Sequence, residues 1–228
     1  MARIAVVTGG AGAIGSAIAS ALGERDYEVA VIDRTGDFAC DLASEQDVER
    51  IAGEVLERFG HCDAFVHAAA SFDFYALADL DLAKWRHTQA VNVESALLLC
   101  RAFVPGMVER SFGRIVFITS NTVWAPAGPI FLPYVATKAA LEGIVRVLAR
   151  AHGASGIAVN AVEPGLTRTP RTEADTPPAA FAAAVAAQAL QRSLEPADTA
   201  ATVAFLCSDA ASAITGQALC VDGGQVLR

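Results

Sequence analysis

One stretch restricts this chain more than any other: residues 8–15, TGGAGAIG. It follows a short β-branched run at 4–7 and precedes Ile14, Ile18 and Leu22, an apolar stripe at helical spacing. Strand, glycine-rich turn and helix, in that order, are the context that gives a glycine motif chemical meaning. A helix N-terminus offers unpaired N–H groups and the positive end of its dipole to a pyrophosphate. Gly9 admits a tight turn that a β-carbon would strain, and the short side chains at 10–13 let backbone approach a ligand. Read from Gly9, the spacing is GxxxAxG rather than GxGxxG, with Ala13 where glycine is commoner. The turn predicts nucleotide binding, with Gly9, Gly12, Ala13 and Ile14 as the contact set.

A chain of 228 residues suits one domain, 1–228, with a large core. Hydrophobic residues make up 54% and charged residues only 18%, which is apolar for a monomer and predicts extensive subunit contacts. The net charge of −8 and the lack of a Lys/Arg cluster argue against nucleic acid or an anionic membrane as partner. The five cysteines form no CxxC and no zinc-like spacing, so no metal is expected and a reduced cytoplasm is the simplest compartment. The chain enters a core strand at once, leaving no room for a signal peptide. No apolar run approaches the roughly 20 residues that cross a bilayer.

Strand and helix signals alternate along the chain. Residues 29–32 read as a second strand ending in Asp33, placed to accept hydrogen bonds from a ribose diol and to repel a 2′-phosphate. NAD is therefore favoured over NADP, although a guanidinium at Arg34 would favour the phosphate. Residues 37–41 read as a third strand, too close to the second for a crossover helix. Asp41 and Leu42 at its end are expected near the adenine. Ser44 and Asp47 resemble a capping box opening a helix whose apolar face is Val48, Ile51, Val55 and Phe59. In the fourth strand, 64–68, His67 reads as a core histidine, and Ala68, Ala69 and Ala70 let backbone lie against a cofactor. Residues 82–110 read as one long helical region. Asn92 inside it is a poor helix former, which predicts local irregularity or a hydrogen-bonding duty.

A fifth strand at 114–120 ends in two hydroxyls, and a helix spans about 134–150. A sixth strand at 156–162 is broken by Pro164-Gly165. Residues 166–192 are Pro-, Thr- and Ala-rich and read as a mobile lid. A helix at 195–207 and a strand at 218–221 close the alternation.

Tyr134 and Lys138 stand four residues apart on one helical face, beyond Ser120. Hydride transfer between an alcohol and a nicotinamide needs a proton relay at the oxygen. Tyrosine is a poor base unperturbed; a neighbouring Lys⁺ and a positive ring favour the phenolate. Ser120 is expected to position the substrate oxygen, and Asn92 to hold a water linking Lys138 to bulk.

With these pieces in hand the chain resembles the short-chain dehydrogenase/reductase family over nearly its whole length. The resemblance rests on residues 8–15, Asp33, Asp41-Leu42, Asn92-Val93, 113–116, Ser120, 134–138, 159–162, Pro164-Gly165, 214–217 and 221–224. It implies a single-domain Rossmann-like α/β fold with seven parallel strands and helices on both faces. It also implies an Asn92/Ser120/Tyr134/Lys138 tetrad and a contact from Lys138 to the nicotinamide ribose. Leu166, Thr167 and Thr169 would contact the nicotinamide. The family association is usually a tetramer, with a dimer as the alternative. Three departures stand out. Ala13 replaces a glycine, and His67-Ala-Ala-Ala70 replaces Asn-Asn-Ala-Gly, so its lost amides need a substitute. Ser120 precedes Tyr134 by fourteen residues, one more than usual, which leaves Thr122 as the alternative hydroxyl.

The expected substrate wall is Phe72, Phe74, Trp124, Phe131 and Phe181 with Ser120 and Tyr134, suited to an uncharged ring. The chain resembles NAD-dependent secondary alcohol dehydrogenases acting on arylethanols or cyclic alcohols. Three alternatives remain: a dihydrodiol dehydrogenase, for which Arg168 or Arg171 should point inward to a ring carboxylate; a 3-oxoacyl carrier-protein reductase, which needs NADPH and a basic docking face; and a nucleotide-sensing scaffold without turnover.

Overall fold

A parallel sheet must be covered on both faces, and the central strands here are buried residue by residue. In the computed structural model, which describes residues 2–227, the order is β1 (Arg3–Thr8), α1 (Ala13–Gly23), β2 (Tyr27–Asp33), β3 (Phe38–Ala39), α2 (Glu45–Phe59), β4 (Ala64–His67), α3 (Leu82–Gln89), α4 (Ser95–Glu109), β5 (Gly113–Ile118), α5 (Leu132–His152), β6 (Ile157–Pro164), α6 (Pro170–Asp175), α7 (Pro178–Ala187), α8 (Pro196–Leu206) and β7 (Ala218–Val221). The sheet has seven strands in the order β3-β2-β1-β4-β5-β6-β7, all parallel. This is the Rossmann-like α/β architecture expected.

Strand alternation assigns side chains to two cores. Val6, Phe65, Ile115, Phe117 and Val159 face Val48, Ile51 and Val55 of α2, Leu99 and Phe103 of α4, and Leu141 and Val145 of α5. The intervening residues Ala5, Val7, Val66, Val116 and Val162 face Ile18 and Leu22 of α1 and Val203 and Leu206 of α8. The run Leu82–Glu109 is long and apolar enough by composition to cross a membrane. Half of its most apolar window lies inside the fold, packed over the sheet.

Several local expectations change. The third strand shrinks to two residues. Phe38 and Ala39 pair parallel with Ile32 and Asp33 after a four-residue link containing Gly36 at φ +110°, so no helix covers this connection. The capping box at α2 is half formed. Ser44 accepts from the Asp47 N–H at 3.2 Å, but the Asp47 carboxylate turns to the Asp41 N–H at 2.6 Å and to Arg50. The long helix at 82–110 is divided by a π-helical turn over residues 90–94, centred on Asn92. The segment 166–192, expected to be a lid, contains two helices, α6 and α7, separated at Thr176 and Pro177.

The turn after β1 depends on missing side chains. A β-carbon at Gly15 would lie 2.1 Å from the Gly9 carbonyl oxygen, so α1 seats against the turn only because none is there. Gly15→Ala is expected to destabilise the chain by about 1–3 kcal/mol, lowering Tm by about 2–4 °C per kcal/mol. Gly53→Ala, in α2 where a β-carbon meets nothing within 4 Å, is expected to raise stability by up to about 1 kcal/mol. Thermal unfolding of the two variants checks this; equal shifts would contradict the packing described.

Candidate active site

The site forms at the carboxyl ends of β1, β4, β5 and β6, where the strand order reverses between β1 and β4. Gly9 takes φ +70° and donates its N–H to Ile32 at 2.9 Å. A β-carbon on it would sit 2.7 Å from the Ala69 backbone, so the glycine turn lies directly against residues 68–69. Gly12 precedes α1 without a side-chain cap, and no acid stands in the first turn. The first N–H groups of α1 are left for an anion. Ala13 and Ile14 open that helix, half-buried.

Asp33 bends back to this turn. Its carboxylate accepts from the Ala11 N–H at 2.9 Å and from its neighbour Arg34 N–H at 2.7 Å, while the Arg34 side chain is exposed. Asp41 caps its own turn through Ala43 and is exposed, whereas Leu42 is buried in the core, so its side chain belongs to packing rather than to an adenine contact. Pro164 ends β6, and the Gly165 N–H bonds Val221 at 3.1 Å. Leu166 is half-buried. The Thr167 hydroxyl donates to the Gly165 carbonyl at 3.0 Å, and Thr169 caps α6 in a reciprocal box with Thr172. Both threonines are thus engaged locally. Ala70 is half-buried at the end of the segment after β4.

Of the expected tetrad, Ser120, Tyr134 and Lys138 come together beyond β5, and Asn92 reaches α5 through Thr137. Lys138, on α5 and only 1% exposed, donates to the Ile118 carbonyl at 2.7 Å, and its Nζ lies 5.4 Å from the Tyr134 ring centroid. Ser120 Oγ accepts both the N–H and the O–H of Thr122, at 3.2 and 2.9 Å. Two accepted bonds occupy its lone pairs and leave its own proton for the phenol or a substrate oxygen. Thr122, whose proton is committed to Ser120, is the support rather than the alternative. Asn92 is fully buried. Its carbonyl accepts from the Ser71 N–H at 2.6 Å, and its two amide protons go to the Ser71 carbonyl and to Thr137 Oγ1 at 3.1 and 3.0 Å. The expected water-holding role does not fit this side chain, which instead braces the segment after β4 against α5.

Burial governs the titrations. It pushes the Tyr134 phenol up to about 12, with the Ser120 hydroxyl opposing, and pushes Lys138 down to about 7. Among the protein's own groups, burial outweighs the expected depression of the phenol by the ammonium, because the dry site penalises both charged forms. His67 is held low, at about 3, by burial and by the nearby Lys138 charge, as befits a neutral core histidine.

Of the aromatic residues expected in a substrate wall, three gather at Tyr134. Phe72 stacks on Tyr134 at 5.3 Å, Phe74 meets it edge-on at 5.9 Å, and Phe131 packs on Phe74 at 4.6 Å. Trp124 is half exposed, its indole N–H bonded to Glu163 at 3.1 Å. Phe181 is not part of the wall: it lies buried under Arg168 at 4.7 Å, lining a cavity of about 380 Å³ between α6 and α7 with Glu173, Thr176 and Val185. Sequence reasoning missed Glu163, fully buried and also bonded by the Cys220 thiol at 2.8 Å. The signal was an acid near the end of a mostly apolar strand. Thr137 and Ser71, the partners of Asn92, carried no signal.

A lysine whose folded pKa lies below its unfolded value costs stability wherever the unfolded chain holds the proton. For Lys138 the cost is complete below about 7 and fades as the pH rises toward 10.5. Lys138→Met is therefore expected to raise the Tm of the cofactor-free chain, most strongly at or below neutral pH. Thermal unfolding across that range checks it, and an unchanged or lowered Tm in acid would contradict the electrostatic account.

Comparison with known proteins agrees with this fold. A family model described as enoyl-(acyl carrier protein) reductase matches residues 9–225. The chain is 34% identical to a probable short-chain type dehydrogenase/reductase of Bradyrhizobium diazoefficiens, over 98% of this chain and 87% of that one. It is 32% identical to a 2,5-dichloro-2,5-cyclohexadiene-1,4-diol dehydrogenase of Sphingobium indicum, over 96% and 95%. The solved structure of a Thermus thermophilus protein superposes with a TM-score of 0.93 at 35% identity, over 99% of each chain. The chain belongs to the short-chain dehydrogenase/reductase family of NAD(P)-linked oxidoreductases.

Proposed function

We propose that this protein oxidises a secondary alcohol, aryl or cyclic, to its ketone with NAD, reversibly. The observation that carries the substrate side is the wall of Phe72, Phe74 and Phe131 around Tyr134. Such a wall favours an uncharged ring.

The residues fit a nicotinamide dinucleotide. The uncapped start of α1, beside a glycine turn whose missing side chain lets it seat against residues 68–69, suits a pyrophosphate. Gly9, Gly12, Ala13 and Ile14 would hold it, and Asp33 would hold the adenosine ribose. Residues 68–70 would flank the cofactor, with Asp41 at the adenine side and Pro164, Gly165 and Leu166 at the nicotinamide end. The Asp33 carboxylate, fixed by two backbone N–H groups, supports NAD over NADP because a 2′-phosphate would meet a held negative charge.

The bound cofactor supplies the hydride acceptor and, when oxidised, a positive charge. Tyr134 carries the proton to or from the reacting oxygen. Buried and protonated, it is ready to donate to a forming alkoxide. Oxidation requires its phenolate, which neighbouring positive charge favours. Ser120 donates its remaining proton to the substrate oxygen, Lys138 presents the cation, and Asn92 fixes the backbone they share. The exposed apolar residues Leu97 and Val108 of α4 and Val147 of α5 support self-association as a tetramer or dimer. Five free thiols agree with a cytoplasmic location.

A second reading is favoured by one contact. The Arg171 guanidinium lies 4.5 Å over the Phe72 ring, at the lid side of the wall, paired only loosely with Asp175 at 3.5 Å. It would suit a dihydrodiol whose ring carries a carboxylate.

A screen of NAD⁺ and NADP⁺ reduction against aryl, cyclic and dihydrodiol alcohols tests both. Turnover with NAD⁺ and a neutral alcohol is expected. Tyr134→Phe should lower kcat about 10²- to 10⁴-fold while sparing NADH binding, and Asp33→Ala should move preference toward NADP⁺. A Tyr134→Phe enzyme of near-normal rate would overturn the proton role, and NADP⁺ preference in the natural chain would overturn the reading of Asp33.

A further inference from the structure

Thr8 and His67 are both fully buried, at the ends of the adjacent strands β1 and β4. Thr8 Oγ1 accepts the N–H groups of Ala68 and Ala69, each at 3.2 Å, and lies 2.9 Å from His67 Nδ1. A hydroxyl has two lone pairs and one proton. With both lone pairs taken by backbone donors, the proton must point at Nδ1, which then accepts. A neutral imidazole that accepts at Nδ1 carries its own proton on Nε2.

That Nε2 is buried and makes no hydrogen bond in this structure. The backbone of Val91 and Asn92, inside the π-helical turn, faces the ring and favours a proton on it. A π turn shifts the helical ladder by one residue and loosens carbonyls from their usual donors. The two halves of the imidazole therefore face two different parts of the site. Nδ1 faces the strand end that leads into the glycine turn, and Nε2 faces the turn that carries Asn92.

We infer that His67 is a positioning residue: hydrogen-bonded to Thr8 through Nδ1, it holds a buried Nε2–H against the π turn that carries Asn92, and so couples the strand end beside the glycine turn to that turn. The inference rests on the proposed function for what Asn92 contributes to turnover, but not for the tautomer or the tie itself.

The test uses the full chain labelled with ¹⁵N in histidine and asparagine. The histidine nitrogens of residue 67 are assigned by their loss in His67→Asn. Long-range proton–nitrogen correlations should show the proton on Nε2, with no titration between about pH 5 and 8, where an ordinary histidine changes charge. His67→Asn keeps an acceptor near Thr8 but cannot reach the π turn. It should retain the fold and NADH affinity, shift the Asn92 side-chain amide resonances, and lower kcat about tenfold with KM little changed. His67→Gln, which reaches further than asparagine, should restore part of kcat. A proton on Nδ1, or titration in that range, would overturn the tautomer. Unmoved Asn92 resonances in His67→Asn would overturn the tie, whether or not any alcohol is turned over. Moved resonances with a natural kcat would overturn the positioning role.

Discussion

Lys138 sits in a place where an ammonium has no water, and the rest of the site answers to that constraint. A buried charge is tolerated only with hydrogen-bond partners and a favourable field. Here the sheet provides one partner, the Ile118 carbonyl at the open end of β5. The same dryness raises the phenol of Tyr134 and keeps His67 neutral. Every polar group nearby must then be accounted for. Asn92 is engaged by Ser71 and Thr137, Ser120 by Thr122, and Thr8 by the backbone after β4. The Ser120 hydroxyl, its lone pairs taken by Thr122, turns its own proton toward the Tyr134 phenol.

The fold makes this arrangement possible by bringing strand ends together. Reversal of strand order between β1 and β4 opens a crevice at their carboxyl ends. Gly9 allows the turn after β1 to touch the backbone after β4 without a side chain between them. The π turn lets one helical region, packed on the sheet through α4, still present Asn92 toward α5. The glycine turn and the Tyr134–Lys138 pair, to which the proposed function gives the cofactor and the proton transfer, are therefore parts of one hydrogen-bonded body rather than two sites joined by a linker.

Much of this was legible in the sequence because backbone rules write themselves into spacing. Glycines at 9, 12 and 15, Asp33 at a strand end and the Tyr134–Lys138 interval located the site. A poor helix former at Asn92 foretold the irregular turn. What stayed hidden was how side chains place their hydrogen bonds across the fold. Nothing near Asn92 in the chain announces Thr137, forty-five residues away. Phe181 has the composition of a pocket residue, yet tertiary packing places it under Arg168. The sign of the Tyr134 shift depends on burial, and an i,i+4 pair cannot reveal whether water reaches it. Nor could Ser44 and Asp47 show that Asp41 and Arg50 would claim the acid.

The central claim is that a phenol held protonated by burial becomes a base when positive charge joins it. Ultraviolet difference titration of tyrosinate, the natural chain against Tyr134→Phe, measures this with and without oxidised cofactor. The other two tyrosines, Tyr27 and Tyr75, also have raised values, so an ionisation below the ordinary 10.0 reports Tyr134. The account predicts no tyrosinate below that pH in the cofactor-free chain and a clear one with NAD⁺ bound, lost in Tyr134→Phe. A complex with NAD⁺ that forms no tyrosinate below the ordinary 10.0, or forms it equally in the variant, would contradict it.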